Sequence, residues 1–417
     1  MNRCVKNDQD KTCASSARIG ITLLLTLALL TGIAPFAIDL YLPAFPEMVE
    51  DLATTSAGVQ LSLTTFLIGA GVGQLIFGPL SDRLGRRSPL VVGMGLYLVA
   101  SVVVALAPTI AVFVGGRFVQ GLAGAAGMVI SRAIIIDRAR GAQAARYMSI
   151  VMLVSGIAPV IAPVVGSVLV NPLGWRGLMW ILTGLVGIGF IAVLLFVRET
   201  RPLTLRNHGH LAAPASTAYS LMSRAYLGNM FAYVFAFATM MAYISASPFL
   251  YQSMMGLDEI GYGLMFGLNA LALMITGAVS ARLTRRFRTA ALARTGLLFN
   301  LAAIVALTLL VLADTPAIWF AVPIFVAVGS LGLVFGNTIA LALAAVPMTA
   351  GLASAILGTL QHLLAGAVAP LVGIAGEDTA FPLVLTMFVA SVIANVAFAV
   401  STPTAHLRES IAVATEN

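Results

Sequence analysis

"GPLSDRLGRR", Gly78 to Arg87, returns as "GAVSARLTRR", Gly277 to Arg286, with six of ten positions identical. Each copy closes a long apolar run and ends in paired arginines. A second pair, "APVVG" (Ala162 to Gly166) and "APLVG" (Ala369 to Gly373), recurs at nearly the same offset. Two copies in the same order imply two halves of like fold in like orientation, related by an axis along a shared normal. Parallel repeats of this kind build transporters with a site between the halves.

Composition names the solvent. Of 417 residues, 60% are hydrophobic and 9% charged, and the mean hydropathy is +1.01. Soluble domains average about 25% charged residues, so this chain lacks the polar side chains to cover a surface in water. In lipid the backbone must satisfy its own hydrogen bonds, as helices or as a closed barrel. A barrel alternates every second residue in segments of about ten. Here the apolar runs are long and unbroken, which predicts helices. Arg3, Lys6, Lys11 and Arg18 precede the first run, but that run is too long for a signal peptide core. It reads as a retained first helix. Cys4 and Cys13 give neither a metal spacing nor a disulfide framework.

A span needs about 20 apolar residues. Candidates fall near 19–42, 57–79, 88–108, 111–131, 147–169 and 177–197, then near 225–249, 260–281, 291–312, 317–341, 351–374 and 381–401. The expected organisation is therefore a tail (1–18), a six-helix half (19–197), a linker (198–222), a second six-helix half (223–401) and a tail (402–417).

With the N-terminus in the cytoplasm, basic residues gather inside: in the first tail, at 83–87, at 132–146, in the linker, at 282–294 and at Arg408. Only Arg117 and Arg176 are left over. Glu47, Glu50, Asp51, Asp258, Glu259, Asp314, Glu377 and Asp378 fall in outward loops. Trp175, Trp180 and Trp319 land at outer span ends, where an aromatic belt belongs. Both termini are expected in the cytoplasm. The net charge of +7 reflects this loop bias and does not point to nucleic acid.

The 78–90 stretch, "GPLSDRLGRRSPL", has a local logic. Gly78 lets span two pack closely, and Gly85 permits a tight turn. Asp82 caps the next helix or pairs with an arginine across the half-interface. Arg83, Arg86 and Arg87 anchor the loop at the cytoplasmic surface. A plain basic loop with a turn glycine accounts for the same residues.

At this point the sequence resembles the major facilitator superfamily. "GPLSDRLGRR" is similar to the superfamily's loop between spans two and three. "RFVQGLAGAA" (Arg117 to Ala126) resembles its span-four signature. "SGIAPVIAPVVG" (Ser155 to Gly166), with Gly156, Pro159, Pro163 and Gly166, resembles the span-five signature of drug:proton antiporters, although Ala158 and Val165 depart from it. "IDLYLPAFP" (Ile38 to Pro46) and "SRAIIIDRA" are similar to the Bcr/CflA subfamily of bicyclomycin and chloramphenicol exporters. The resemblance implies twelve helices in two parallel repeats and proton-coupled drug efflux.

Asp39 is the lone acidic side chain within a span. Charges there are costly and tend to face a cavity. Asp39 either marks the outer helix end or is a buried functional carboxylate; the resemblance implies the latter, as a proton carrier and a contact for drug. Arg117 is a fixed cation. It either braces helices through backbone carbonyls or, as the resemblance implies, takes part in proton coupling, with Gln120 one turn on in the same network. Phe36 and Tyr41 flank Asp39 as candidate ligand contacts. Arg132 falls at a cytoplasmic helix end. His362 reads as a hydrogen-bonded histidine between helices or as a proton relay. Asn269, Asn300, Asn337 and Gln361 read as interhelical glue.

The expectation is a multidrug exporter of the bacterial inner membrane, driven by the proton-motive force. It is expected to act as a monomer, with the bilayer, a drug of the chloramphenicol, florfenicol or bicyclomycin kind, and protons as its partners. The rival reading is a proton-coupled importer or exporter of a metabolite such as a sugar or amino acid. No phosphate loop G-x-x-x-x-G-K-[ST], metal spacing or nucleophile–base pair is visible, so no cofactor, metal or enzymatic activity is expected.

Overall fold

The computed structural model describes residues 19–139, 141–200, 221–373, 376 and 379–401. The cysteines, the two tails, most of the linker, and Glu377 and Asp378 lie outside the described residues. Within them the chain is helical, with no strand. Numbered as spans, the helices are α1 (Ile21–Asp39), α2 (Ser56–Leu84), α3 (Arg87–Ala105), α4 (Ile110–Arg138), α5 (141–173), α6 (175–196), α7 (Arg224–Pro248), α8 (Glu259–Leu283), α9 (Thr289–Leu312), α10 (Ala321–Ala344), α11 (Ala350–Val368) and α12 (Phe381–Ser401). Helices α5 and α6 follow one another almost without a gap. Gly174 separates them, at φ 65° and ψ 175°, a backbone setting open to glycine.

The helices carry little amphipathic pattern because both their faces are apolar. One side meets other helices and the other meets lipid; Ile21, Leu195 and Val400 are among the exposed apolar side chains. Small residues decide which helices come closest. A methyl group at Gly69 or Gly73 of α2 would strike the Phe118 or Leu122 carbonyl of α4, and one at Gly121 would strike the Phe66 carbonyl of α2. Helix α2 therefore lies flush on α4, backbone to backbone. Gly78, the expected contact glycine, meets only the end of Val129, at 3.9 Å. The close approach comes from glycines deeper in the span.

The repeat is visible in the packing. Helix α2 packs on α4 in the first half, and its counterpart α8 packs on α10 in the second. Two helix pairs form most of the seam between the halves, α2 against α11 and α5 against α8. These are the same contact related by the internal repeat. Gly366 of α11 abuts Thr64 and Ile68, and Gly263 of α8 abuts Pro163 and Ser167.

The seam is tight toward the end that carries Pro43, called here the Pro43 face. Gln60 donates to the Ser245 carbonyl (3.0 Å), Gln252 to the Pro43 carbonyl (3.1 Å), and Asn171 to Glu259 (3.3 Å). Phe45 and Phe249 pack with ring centres 6.0 Å apart. Deeper in, Gly71 lies against Leu363 and His362, and Gly358 lies beside Gln74. Toward the opposite end, the Arg86 face, Gly156 of α5 and Gly351 of α11 have open space around them.

Candidate functional site

After α1 the chain does not run straight into solvent. A 3-10 turn (Leu42–Ala44) and a short helix (Phe45–Asp51) fold back over the bundle. Leu40, Tyr41, Leu42, Ala44 and Phe45 are all buried. Asp39 is the last residue of α1 and is nevertheless 3% exposed. Position and burial thus coexist: Asp39 ends the helix, and the segment after it is buried over the same region. Oδ1 of Asp39 has no hydrogen-bond partner, which is unusual for a buried carboxylate. Gly166 of α5 closes the space from the side, since a methyl group there would strike the Leu40 carbonyl.

Arg117 is fully buried in the same region. Its guanidinium donates to the Ala37 carbonyl of α1 at 2.8 Å, to Gln120 Oε1 at 3.0 Å and to the Tyr41 hydroxyl at 3.4 Å. It lies over the Phe66 ring at 4.3 Å and over the Tyr41 ring at 4.8 Å. Among the described residues it makes no ion pair with Asp39. The donors run in one direction, because Tyr41 pairs with Ser62 (2.8 Å), whose hydroxyl is already given to the Val59 carbonyl (2.6 Å). On the other side, Gln120 donates to Ser101 (2.9 Å), which donates to the Tyr97 carbonyl (2.8 Å). One cation thus ties α4 to α1, α2 and α3. Tyr41 and Gln120, expected as ligand contacts, both use their polar atoms inside this network. Phe36 is half-buried on α1.

At the Arg86 face the 78–87 stretch is a second built site. Gly85 turns the chain at φ 95°, as the glycine there implies. Arg86 departs from the expected surface anchor: it is 6% exposed. It donates to Asp82 at 2.7 Å, Asp137 at 2.9 Å and Ser81 at 2.9 Å. Glu199, after α6, accepts the backbone N–H of Arg86 (2.8 Å) and of Arg87 (3.2 Å), and Thr200 donates to Asp137 at 3.1 Å. Burial disfavours the Arg86 charge, and the two carboxylates more than offset it. Asp82 pairs with Arg86, four residues on in its own half, and no side chain caps α3. Asp137 and Glu199 were not singled out in the sequence. The signal for Asp137 lay in the quoted "SRAIIIDRA". Arg83 and Arg87 are exposed.

Three further placements differ from expectation. Trp175 is no belt residue: it is buried, and its indole donates to Asp51 at 2.8 Å. Trp180 and Trp319 are exposed. Arg132 does not end its helix, because α4 continues to Arg138. Gly156 touches nothing, so of the span-five glycines Gly166 alone sits at a close contact; Pro163 is buried, and its carbonyl lies near Gly263 of α8. The asparagines join helices: Asn300 donates to the Ala327 carbonyl and accepts from Ser391, and Asn269 donates to Tyr243 and Tyr251.

Twelve apolar helices in two repeated halves, with a buried acid and a buried arginine, are the architecture of a membrane transporter. The chain belongs to the Major Facilitator Superfamily, whose model matches residues 27–370. It is 35% identical to the uncharacterized MFS-type transporter YdgK of Bacillus subtilis (strain 168) over 91% of this chain and 94% of that protein. It is 29% identical to the bicyclomycin resistance protein homolog of Haemophilus influenzae (strain Rd), over 90% and 94%. In fold it is similar to a bacterial homolog of the human lysosomal transporter Spinster in an inward-facing, occupied conformation, at a TM-score of 0.70 and 16% identity, over 91% of this chain and 95% of that one. The chain is a transporter and not an enzyme.

Proposed function

We propose that this transporter exports small hydrophobic antibiotics of the bicyclomycin, chloramphenicol or florfenicol kind in exchange for protons, across the bacterial inner membrane. Both termini, and the Arg86 face, lie in the cytoplasm. The observation that carries this reading is Asp39: a buried carboxylate, with one oxygen unpartnered, beneath a segment that joins the second half where Gln252 donates to the Pro43 carbonyl. A group so placed changes the charge of the core when it gains or loses a proton. The likeness to the bicyclomycin resistance protein homolog supports drug as cargo.

In this reading the cleft is open toward the Arg86 face, and drug enters with Asp39 ionised. Opening of the Pro43 face lets a proton reach Asp39, and neutralisation favours release and return. Arg117 keeps α1 in register with α4 while this happens. Inward movement of one charge supplies about 2.3 kcal/mol per 100 mV. The first half carries coupling (Asp39, Arg117) and the latch at Asp82, and the second half mainly shapes the drug pocket.

The test is transport by the purified chain in proteoliposomes with an imposed pH gradient, using radiolabelled chloramphenicol and florfenicol. Concentrative drug movement opposite to the proton gradient, abolished by a protonophore, is expected. Movement of labelled sugars or amino acids in place of drug would replace this reading with the metabolite alternative.

A further inference from the structure

The outer face of α8 is one continuous stripe. Leu264, Leu268, Leu271, Ile275 and Val279 are all exposed, and their spacing of three or four residues puts them on one side of the helix. In a chain that spans a bilayer, such a side meets the acyl chains. The next two steps of the same spacing are Arg282 and Arg286, both exposed. Helix α8 ends at Leu283, but the winding carries on. The Arg285 N–H donates to the Arg282 carbonyl at 3.3 Å, and the Arg286 N–H to the Leu283 carbonyl at 2.9 Å. Arg282, Arg285 and Arg286 therefore stand together at the foot of the stripe. With Leu283 they line an open recess of about 450 Å³, and Phe287 beside them is 56% exposed.

The charge of this face is uncompensated. From Ile260 to Ala313 the chain carries five arginines (Arg282, Arg285, Arg286, Arg288 and Arg294) and no acidic residue. All five are exposed, and among the described residues none makes an ion pair or a side-chain hydrogen bond. The repeat supplies the comparison. In the first loop Arg86 is held by Asp82 and Asp137, whereas the second loop has Ala281 where Asp82 stands. The positive-inside rule accounts for arginines on this side of the membrane. It accounts neither for the loss of every acid nor for a cluster at the foot of a lipid-facing stripe. Like charges three and four residues apart repel, so the cluster stands at a cost that a bound anion offsets.

We propose that Arg282, Arg285 and Arg286 bind the phosphate headgroup of an anionic phospholipid, whose acyl chains lie along the α8 stripe over Val279 and Ile275. The site goes beyond the exporter reading: it needs a chain that spans a bilayer, whatever its cargo. A guanidinium takes two phosphate oxygens at once, and basic residues just outside a span are drawn to anionic lipid. Leu283 and Phe287 supply apolar surface at the level of the glycerol. A free phosphate ion offers the arginines the same oxygens. The stripe selects the lipid, because a soluble anion gains nothing from Ile275 or Val279. The second half is thus tied to the bilayer at the loop where the first half, through Arg86, is tied to itself.

The experiment is lipid binding to the purified full chain in detergent, read by native mass spectrometry. The probes are phosphatidylglycerol, phosphatidylcholine with the same acyl chains, and inorganic phosphate. Wild type is expected to hold phosphatidylglycerol about tenfold tighter than phosphatidylcholine, from the pull of the arginines on an anionic headgroup. Arg282→Gln combined with Arg286→Gln removes that preference, and the paired changes Arg282→Lys and Arg286→Lys retain part of it. Arg83→Gln, which deletes an exposed arginine from the first loop, keeps it. Raising the salt erases the preference in wild type, because exposed charges are screened, and this arm needs no variant to fold. Millimolar inorganic phosphate leaves the lipid bound. Equal affinities in wild type, indifference to salt, a preference that survives the double glutamine change, or an equal loss in Arg83→Gln each overturn the site. Displacement by inorganic phosphate assigns the arginines to a free anion and overturns the lipid. No transport is read, so failure of the exporter reading leaves these outcomes unchanged.

Discussion

The Arg117 guanidinium is bonded to the Ala37 carbonyl at 2.8 Å and not to the carboxylate of Asp39, two residues further along α1. The buried acid of α1 and the buried arginine of α4 are neighbours in the fold without being partners. That separation makes their mutants distinguishable. Asp39→Asn removes a charge whose Oδ1 bonds nothing, so folded yield should match wild type. Efflux driven by a pH gradient should be lost. Arg117→Ala strands the Ala37 carbonyl and Gln120 Oε1, and each buried polar atom left unpaired costs about 1–3 kcal/mol. Its yield and thermal stability should fall before transport can be measured. Size-exclusion profiles and proteoliposome efflux check both. Uphill efflux by the Asn variant at normal expression would remove Asp39 from the coupling role.

The span-five glycines should separate as cleanly. A methyl group at Gly166 meets the backbone carbonyl of Leu40, next to Asp39, whereas one at Gly156 meets nothing within 4 Å. Backbone cannot rotate away as a side chain can. Gly166→Ala should therefore lower thermal stability by about 1–3 kcal/mol, the usual cost of overpacking, and reduce transport. Gly156→Ala should be close to neutral in the structure described. Thermal unfolding followed by size-exclusion reads both, and equal losses would show that Gly156 becomes crowded in another state of the cycle.

The twelve spans, the repeat and the glycine turn were legible because each rests on local chemistry: apolar length, identity at a fixed offset, and the need for positive φ at Gly85. The roles of arginines were not. Arg86 and its repeat counterpart Arg285 look alike in sequence, both in basic loops, yet one is buried among carboxylates and the other is exposed. The difference comes from Asp137 and Glu199, distant in sequence. Arg132 was misplaced for a similar reason. The apolar run gives out near 131, but the helix continues to Arg138, with Asp137 in its last turn bonded to Arg86. Trp175 had the composition of a belt residue and the position of a capping one, which only the fold-back of Phe45–Asp51 could reveal.

That fold-back predicts a pH dependence at the Pro43 face. Asp51 accepts from the Trp175 indole and the Arg176 guanidinium, and these bonds hold its carboxyl below the ordinary range. A depressed carboxyl contributes stability above its unfolded pKa of about 3.9, and loses it as pH falls through the folded value. Glu47, beside it, has the opposite sign: burial pushes its carboxyl up, so its contribution is greatest in acid and fades as pH rises. In a chain with Trp180 and Trp319 changed to Phe, the emission of Trp175 should shift to the red on acidification, with a midpoint below about 3.9. Asp51→Asn should abolish that midpoint. A midpoint near 5, or one that survives in Asp51→Asn, would assign the change to another group.

The latch at the Arg86 face yields the sharpest contrast between the halves. Arg86 joins the end of α2 (Asp82, Ser81), the end of α4 (Asp137) and, through its backbone N–H, the segment after α6 (Glu199). In the second loop Ala281 stands where Asp82 does and Thr284 where Gly85 does, and Arg282, Arg285 and Arg286 are all exposed. Removing one partner of a buried charge network costs about 3–5 kcal/mol, whereas exposed ion pairs contribute about 0–1 kcal/mol. Arg86→Gln should then lower stability markedly, with Asp137→Asn close behind, and Arg285→Gln should leave it unchanged. The Asp82 side chain is more exposed than that of Asp137, so Asp82→Asn should fold. Its defect should appear in turnover and not in drug affinity, because the loop holds one arrangement of α2, α3, α4 and the segment after α6. Drug binding and efflux measured on the same preparation decide this. Intact turnover with affinity lowered tenfold would place Asp82 in the binding site and remove it from the latch.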